Sequence, residues 1–381
     1  MSEETSSTDK PVVIFRHDLF LEHVAGPGHP ENPGRLQAIY AHLDAHPLSG
    51  TATCTPREAT VRELERVHGG RYVQTVAATA GQARVALDPD TSTSPKSYEA
   101  ALAAAGAAIE ATERVVQGDA RGAFALVRPP GHHAEPSAAM GFCLFNNVAV
   151  AAAHAVSELG CRRVLVLDPD VHHGNGTQRA FYERNDVLYV SSHAYPFYPG
   201  SGWFDEVGIG VGAGHTVNLP MPPGMGDTDF LHVYERIVEP IVDEYRPDLI
   251  LVSAGYDTWQ YDPIGPMRMS TEGFRHLFGL FTRWSDRHCP GRIVLSLEGG
   301  YDPAGLIVGV RTSLEAMLGV SSTGPESDLG VLGLADSVSP YGSSETPAVS
   351  PSARAVAENA RLALAPFWSG LRTATAEGTS A

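Results

Sequence analysis

The nine residues 168–176, DPDVHHGNG, place two acids, two histidines and an amide directly after the apolar run VLVL. Asp170 and His172 are two positions apart, so on an extended segment their side chains point to the same face. Together they form half of a metal site, and Asp257, which follows another apolar run, is the natural third ligand. Three protein ligands and an open fourth position are typical of catalytic zinc, whereas structural zinc has four. Calcium and magnesium fit poorly because they take oxygen ligands rather than imidazole.

Further polar residues could complete a catalytic site. Asp168 lies further down the same segment and would support the ligands, and Asn175, in a tight Gly-Asn-Gly turn, could orient a neighbouring histidine. His132 and His133 follow a stiff Pro-Pro-Gly approach and could act as proton carrier and electrostatic neighbour. Tyr301, after two glycines, offers a phenol to a developing oxyanion. This set of residues is suited to hydrolysing an unactivated amide.

The elements that must position these residues alternate between strands and helices. Short apolar runs predict buried parallel strands, namely VVIF, AFALV, RRVLVL, DVLYVSS, DLILVSAG and RIVLSLEGG. Helical patterns cover 33–46, 94–118, 145–160 and 228–245, and Ser97 and Gly118 are placed as caps of the second. Such alternation predicts a parallel α/β sheet. The dense polar clusters follow four of these strands, at the sheet edge where ligands bind in this architecture.

The chain reads as one domain with polar ends. The sequence predicts a disordered tail over residues 1–10, the catalytic domain over residues 11–320 and a C-terminal segment over residues 321–381. Within that segment, 321–352 is poor in bulky apolar residues and reads as a linker, and an amphipathic helix is expected over about 351–366. No repeat of fixed period is apparent.

Composition excludes several classes of protein. The net charge of −17 argues against direct nucleic-acid binding; it would suit a cationic substrate, although solubility explains it more simply. No apolar stretch is long enough to span a membrane, and the polar start lacks a signal-peptide pattern, so a soluble, cytoplasmic protein is expected. The four cysteines form no CxxC pair and predict buried thiols rather than disulfides or a zinc-thiolate site.

Six ordered motifs together resemble the zinc-dependent histone deacetylase superfamily: HPENPGRL, RPPGHHA, MGFCLFNN, DVHHGNGTQ, SAGYD and EGGY. The resemblance covers roughly residues 12–320 and is greatest to the class II branch, with its bacterial histone deacetylase-like amidohydrolases and acetylpolyamine amidohydrolases. It implies the arginase-deacetylase fold, a single domain with a central, mostly parallel sheet of about eight strands flanked by helices. It also implies one zinc ion bound by Asp170, His172 and Asp257.

The same resemblance assigns the remaining roles. His133 becomes the proton carrier with Asn175 behind it, Asp168 lies behind His132, and Tyr301 meets the oxyanion. The substrate-binding residues would be Asp90 at the rim, Gly141, Phe142, Tyr198, Ile264 and Gly300. A structural potassium ion would be held by the Asp168 side chain, the carbonyls of Asp170 and His172, Ser191 and Ser192. A second would use carbonyls near Phe181, Arg184 and Val187, and Arg35 would line an internal cavity for released acetate.

One position departs from the family pattern. Between Asp168 and Asp170 the family usually has a large apolar residue, and this chain has Pro169. Proline lacks an N–H, so a ladder hydrogen bond beside the metal loop could be absent. Tyr301 is retained, whereas some class II members have histidine there and deacetylate weakly.

Several functions stay open at this stage. The main expectation is removal of acetyl or other acyl groups from lysine side chains or related amines. The substrate could instead be an acetylpolyamine or a small acylated metabolite. An arginase-like binuclear manganese hydrolase would need further bridging acids, and HHGNG supplies an amide instead. A non-catalytic acyl-lysine reader would be expected to lack Tyr301 or a histidine. Because relatives often form dimers or tetramers, a homodimer or homotetramer is an option, and the oligomeric state stays open.

Overall fold

The computed structural model describes residues 10–320 and 348–372, and its central element is one eight-stranded sheet. The strands are β1 Val12–Phe15, β2 Thr51–Cys54, β3 Val85–Ala86, β4 Ser92–Thr93, β5 Gly122–Ala125, β6 Val164–Asp168, β7 Val187–Ala194, β8 Thr216–Met221, β9 Leu249–Ala254 and β10 Ile293–Leu297. Their order in the sheet is β2-β1-β5-β10-β9-β6-β7-β8, and every neighbouring pair is parallel. β3 and β4 form a separate antiparallel pair. The predicted α/β fold with an eight-stranded sheet is confirmed, and in the described residues this sheet is parallel throughout.

All six apolar runs predicted as strands are strands. The sequence patterns missed the short pair β3 and β4 and two strands of the eight-stranded sheet. The two missed strands of that sheet, β2 and β8, are at its edges. β2 is only partly buried, and β8 contains Asn218 and Pro220, which a central strand would tolerate poorly. By contrast β5, β6, β7, β9 and β10 are buried at every residue, because their alternate side chains meet covering elements on both faces.

Helices cover the sheet. They are α1 Gly34–Ala45, α2 Val61–Leu64, α3 Gly70–Ala77, α4 Ser97–Gln117, α5 Asn147–Glu158, α6 Asn175–Phe181, α7 Asp227–Val233, α8 Glu239–Tyr245, α9 Thr271–His288, α10 Pro303–Leu318 and α11 Pro351–Leu364. α4 and α5 pack together against the sheet, α10 packs between α1 and α9, and α11 packs against β8 and α7. None of the helices within the described residues is both long and apolar enough to cross a membrane.

Two helices differ from the sequence prediction at their ends or centre. Gly118 ends α4 in the left-handed conformation as expected, with φ +77°, but Lys96 precedes the helix and Ser97 is its first residue, where its hydroxyl accepts a hydrogen bond from Ser94 N. The predicted helix over 228–245 is interrupted by a π-helical turn, Tyr234–Val238, between α7 and α8. Pro240 follows this turn and lacks the N–H that an uninterrupted helix would use. The patterns noted in the sequence did not include α9 and α10.

The chain ends are only partly described. The predicted tail 1–10, apart from Lys10, and the linker residues 321–347 lie outside the described residues, so these boundaries and that of the catalytic unit at 11–320 stay predictions. The predicted last helix is present as α11, and beyond it the Trp368 indole donates to Gly214 O at 2.8 Å.

The order of the strands explains why the polar clusters meet. β5, β10, β9 and β6 are consecutive in the sheet, although they come from distant parts of the chain. β5 precedes His132 and His133, and β10 precedes Tyr301. β9 precedes Asp257, and β6 precedes Asp170. Because they are parallel, their carboxyl ends lie along one edge, and the four loops converge there.

Candidate active site

Asp170, His172 and Asp257 form a compact, buried cluster at the ends of β6 and β9. One ligand atom from each lies within 4.8 Å of the other two. His172 Nδ1 lies 3.1 Å from Asp170 Oδ1 and 3.2 Å from Asp257 Oδ2. Val171 N donates to Asp257 Oδ1 at 2.8 Å and Gly299 N to Asp170 Oδ2 at 2.9 Å, which fixes both carboxylates. The structure thus brings together the three side chains that the sequence analysis proposed as metal ligands.

The cluster fits a divalent cation. Asp257 Oδ2 is buried and has no hydrogen-bond partner, so it is a ligand atom available beside the His172 imidazole. Burial and the nearby Asp170 carboxylate raise the pKa of Asp257 to about 7. Burial would lower the pKa of His172, but the adjacent Asp170 and Asp257 carboxylates raise it to about 9. A bound cation would relieve this crowding of acidic groups, and two carboxylate oxygens with one imidazole nitrogen form a donor set that zinc accepts.

Two glycines make room for the carboxylates. A Cβ at Gly255 would lie 2.1 Å from Asp170 Oδ2, and one at Gly299 would lie 2.1 Å from Asp257 Oδ2. Pro169 does not interrupt the sheet, because β6 ends at Asp168, one residue earlier. The ladder hydrogen bond that was expected to be at risk is therefore not required at this position.

His132 and His133 stand side by side with their ring centroids 4.0 Å apart. His132 Nδ1 lies 3.1 Å from Asp168 Oδ2, and His133 Nδ1 lies 2.8 Å from Asn175 Oδ1, which are the pairings expected from the sequence. Burial would lower the pKa of His132, but the Asp168 and Asp170 carboxylates raise it well above its ordinary value. Burial lowers the pKa of His133, and the neighbouring histidines lower it further. The pKa values of the two imidazoles are thus shifted in opposite directions.

Tyr301 reaches the same cavity from the end of β10. Its backbone N–H donates to Asp262 Oδ2 at 2.7 Å, and its ring stands edge-on to Phe142 with centroids 6.1 Å apart. Burial raises the pKa of the phenol well above its ordinary value, so the hydroxyl keeps its proton and can donate a hydrogen bond.

A cavity of about 230 Å³ connects these groups to the surface. His132, His133, His172 and Tyr301 line it. Five of the six predicted substrate-binding residues line it as well: Asp90, Gly141, Phe142, Tyr198 and Ile264. Gly300 is not among its described lining residues, and Gly299 is. Gly141 and Phe142 both have positive φ, +56° and +69°, and a Cβ at Gly141 would lie 2.3 Å from the His133 ring. This turn brings the Phe142 ring to the cavity wall.

The residues expected to hold potassium are buried beside the catalytic candidates. Asp168 and Ser191 are partners in the β6–β7 ladder. Asp168 Oδ2 accepts from His132 and from the Tyr189 hydroxyl, whereas Asp168 Oδ1 is buried with no hydrogen-bond partner. Ser192 Oγ lies 2.8 Å from the Tyr234 hydroxyl. Around the second expected site, Phe181 O already accepts from Arg184 N at 2.9 Å.

A family model described as the histone deacetylase domain matches residues 29–317. The chain belongs to this family. The histone deacetylase domain thus includes every candidate described above, from the cavity rim to Tyr301. The resemblance inferred from the six motifs is confirmed.

Relatives of this histone deacetylase domain come from archaea, bacteria and plants. The chain is 37% identical over 298 residues to a probable deacetylase of Archaeoglobus fulgidus, covering 77% of this chain and 82% of that one. It is 36% identical over 328 residues to a histone deacetylase-like amidohydrolase of Pseudomonas aeruginosa, covering 81% and 86%. The crystal structure of the HDA15 HD domain superposes with a TM-score of 0.83 at 33% identity, covering 96% of this chain and 97% of the other. The arginase-deacetylase fold expected from the motifs is confirmed by this similarity.

Three acids of this histone deacetylase domain support the site but were not predicted from the sequence. Glu298 Oε2 accepts from Gly131 N at 2.6 Å and from His132 N at 3.2 Å, which holds the histidine turn. Asp262 accepts four backbone hydrogen bonds, from Ile264, Gly265, Tyr301 and Asp302. Glu135 accepts from the Asn175 amide. Glu298 begins the quoted motif EGGY and Glu135 directly follows RPPGHHA, but local spacing does not indicate which distant groups they contact.

The aromatic wall also contains a residue that was not predicted. Phe197 lines the cavity and stacks on His172 with ring centroids 5.2 Å apart and planes 21° apart. Arg35, expected at an internal acetate cavity, is buried behind Tyr301 and is not among the lining residues of the described cavity. All four cysteines are free thiols, and three of them are buried, as expected.

Proposed function

We propose that this protein is a zinc-dependent amidohydrolase that removes acyl groups, chiefly acetyl, from lysine side chains or related amines. The observation that carries the proposal is that a histidine pair, the Tyr301 phenol and His172 of the three-residue metal-ligand cluster line one cavity. Relatives named as a probable deacetylase and as a histone deacetylase-like amidohydrolase support the same class of reaction.

Asp170, His172 and Asp257 would hold the zinc ion. When bound, zinc lowers the pKa of water towards neutrality and polarises a carbonyl group. The unpartnered Asp257 Oδ2 and the close approach of His172 Nδ1 to both carboxylates support this ligand set. Gly255 and Gly299 maintain the space in which the carboxylates converge.

The histidines would divide the proton transfer. Asn175 Oδ1 accepts from His133 Nδ1–H, which leaves Nε2 of this neutral imidazole free to take a proton from the attacking water and return it to the leaving amine. His132, held by Asp168, would supply positive charge next to the reacting groups. The Tyr301 phenol would donate to the carbonyl oxygen as it becomes an oxyanion.

The cavity walls support a linear acyl-amine substrate. Phe142, Tyr198, Phe197 and Ile264 form an apolar passage suited to a lysine-like methylene chain. Asp90 stands at the passage and accepts from Gly141 N at 3.2 Å through Oδ1. An acid at this position favours an amine-bearing substrate, which includes both acetyl-lysine peptides and acetylpolyamines.

We also propose a structural potassium ion beside the catalytic candidates. The buried, unpartnered Asp168 Oδ1 supports a cation there, with the carbonyls of Asp170 and His172 and with Ser191 and Ser192 completing the oxygen set. The melting temperature should be higher in potassium chloride than in lithium chloride at equal ionic strength. In Asp168→Asn that difference should disappear; its persistence would argue against the site.

Metal analysis and a substrate panel test the main proposal. Elemental analysis should find about one zinc per chain, and purified enzyme should hydrolyse an acetyl-lysine peptide or an acetylpolyamine. Asp257→Ala should lose the zinc and the activity, whereas the exposed Asp205→Ala should keep both. Two equivalents of manganese, retained in Asp257→Ala, would contradict the proposal.

A further inference from the structure

The side chain of Asn175 lies between a histidine and a carboxylate. Its Oδ1 is 2.8 Å from His133 Nδ1, and its Nδ2 donates to Glu135 Oε1 at 2.9 Å. Nδ2 also lies 3.2 Å from the Met140 sulfur, a weak acceptor. Both groups on the Nδ2 side are therefore acceptors, and the histidine is on the oxygen side.

The orientation of this amide has a chemical consequence. An amide has an acceptor end and a donor end, and a 180° rotation would turn the donor towards His133 Nδ1. His133 would then have to accept at Nδ1 and carry its proton on Nε2. In that tautomer Nε2, on the opposite side of the ring, could not act as a base. Asn175 alone does not decide between the two orientations, because either end can bond a neutral imidazole.

Glu135 selects one of the two orientations of the Asn175 amide. A carboxylate has only acceptor atoms, so it accepts the Nδ2 end of the amide and rejects the oxygen end. Its backbone is fixed on both sides: Glu135 N donates to Ala138 O at 2.9 Å, and Glu135 O lies 3.0 Å from His68 Nδ1. The carboxylate therefore reaches Asn175 from a rigid support.

We propose that Glu135 is a positioning residue that, by holding the Asn175 amide, keeps His133 in the Nδ1–H tautomer with Nε2 free to accept a proton. This inference rests on the proposed function, because a free Nε2 matters only for a proton-transfer reaction. Glu135 does not line the substrate cavity in the described residues, so its effect on catalysis passes through Asn175 and His133.

Substitution of Glu135 should lower kcat and leave KM nearly unchanged. Loss of a hydrogen bond to a charged group should lower kcat for an acetyl-lysine peptide roughly 10- to 100-fold in Glu135→Ala, with KM nearly unchanged. Glu135→Gln can still accept through its amide oxygen and should recover most of the rate. Glu183→Ala, an exposed change just beyond the helix that begins at Asn175, should have the parent kcat.

The same substitution made in an Asn175→Asp variant distinguishes a positioning role of Glu135 from a purely structural one. In Asn175→Asp both side-chain oxygens accept, so no orientation remains to be selected and a carboxylate at Glu135 only adds repulsion. Adding Glu135→Ala to Asn175→Asp should therefore not lower kcat further. An equal loss in both backgrounds would mean that Glu135 only supports folding, and the proposal would be overturned.

The tautomer can also be measured without turnover. Nitrogen-15 NMR of histidine-labelled protein, with His133 assigned by its absence in His133→Asn, should show Nδ1 protonated in the parent and a larger Nε2–H population in Glu135→Ala. An unchanged tautomer in Glu135→Ala would overturn the inference. If the parent hydrolyses no acylated amine, the proposed function fails, but this spectrum still decides whether Glu135 sets the tautomer.

Discussion

The guanidinium carbon of Arg35 lies 5.0 Å from the centroid of the Tyr301 ring. The same side chain donates through Nε to Gly300 O at 2.6 Å and through Nη2 to Glu298 O at 2.5 Å. A third bond, at 3.1 Å, joins it to the buried Glu31 carboxylate. Arg35 thus supports both the ring of Tyr301 and the backbone that precedes it, and it places a positive charge behind the phenol.

Tyr301→Phe should lower kcat while leaving zinc content and folding intact. The phenylalanine ring keeps the contact with Arg35, so the change removes only the hydroxyl donor. One such donor is typically worth about 10²–10³ in rate. An activated trifluoroacetyl substrate, whose oxyanion needs less stabilisation, should lose less. An ordinary acetyl-lysine peptide hydrolysed at the parent rate would show that the phenol only fills space.

Arg35→Lys should reduce both stability and kcat. Lysine keeps the charge but cannot reach the three acceptors with a planar fork, so the free energy of unfolding should fall by about 1–3 kcal/mol. If Arg35 acts by positioning Tyr301, adding Arg35→Lys to Tyr301→Phe should lower kcat little further. The comparison needs urea unfolding and steady-state kinetics for the parent, the two single variants and the double variant. A loss of kcat in the double variant equal to the product of the two single losses would contradict the positioning role.

Gly299→Ala should disturb the metal site without a general loss of folding. The new Cβ would lie 2.1 Å from Asp257 Oδ2 and 2.6 Å from Asp170 Oδ2, so a ligand carboxylate must move. Zinc content should fall well below that of the parent in the same elemental analysis. Gly279→Ala in α9 is the matched control, because its Cβ would meet only the flexible end of Arg283 at 3.5 Å. Full zinc occupancy in Gly299→Ala would contradict the proposed convergence of ligands.

His68 should make the protein less stable in mild acid. Its Nε2 accepts from Asn146 N at 2.9 Å, and burial lowers its pKa from 6.5 to about 4. The unfolded chain therefore binds this proton at a higher pH than the folded chain does. The contribution of His68 to the free energy of unfolding is therefore complete above about pH 6.5. It decreases by roughly 3 kcal/mol as the pH falls towards 4.

The pH dependence of unfolding can isolate this effect. The decrease in unfolding free energy between pH 6.5 and 4 should be smaller in His68→Gln than in the parent by about that amount. Gln74→Ala, an exposed and non-titrating change in α3, serves as control and should leave the slope unchanged. An identical slope in His68→Gln and the parent would show that this imidazole is not held neutral by burial.

Asp90 should favour amine-bearing over anionic substrates. Asp90→Asn keeps an oxygen for the bond from Gly141 N but removes the charge, so KM for an acetylated amine should rise several-fold with kcat little changed. Asp90→Ala also loses that bond and should affect kcat as well. Acetylated acidic amino acids should be poorer substrates than acetyl-lysine or acetylpolyamine, and better turnover of the acidic set would overturn the preference.

The sequence by itself determined the strands of the sheet centre and the chemistry at their ends. A strand buried on both faces must be apolar throughout, so β5, β6, β9 and β10 were recognisable from short runs. The two-residue spacing of Asp170 and His172 fixes them on one face through local geometry alone. Recognition of the six motifs supported Asp257 as the third ligand and added the pairing of each histidine with its partner.

Only the tertiary structure decided which groups support these residues. Glu135, Asp262 and Glu298 act through hydrogen bonds to groups 40, 39 and 167 residues away, respectively, and no local pattern encodes such separations. The same holds for Arg35 behind Tyr301 and for the edge strands β2 and β8, whose partial exposure or polar content weakens their signal. These contacts depend on the strand order that places β10 between β5 and β9, and chain crossings of that kind follow from packing the whole core.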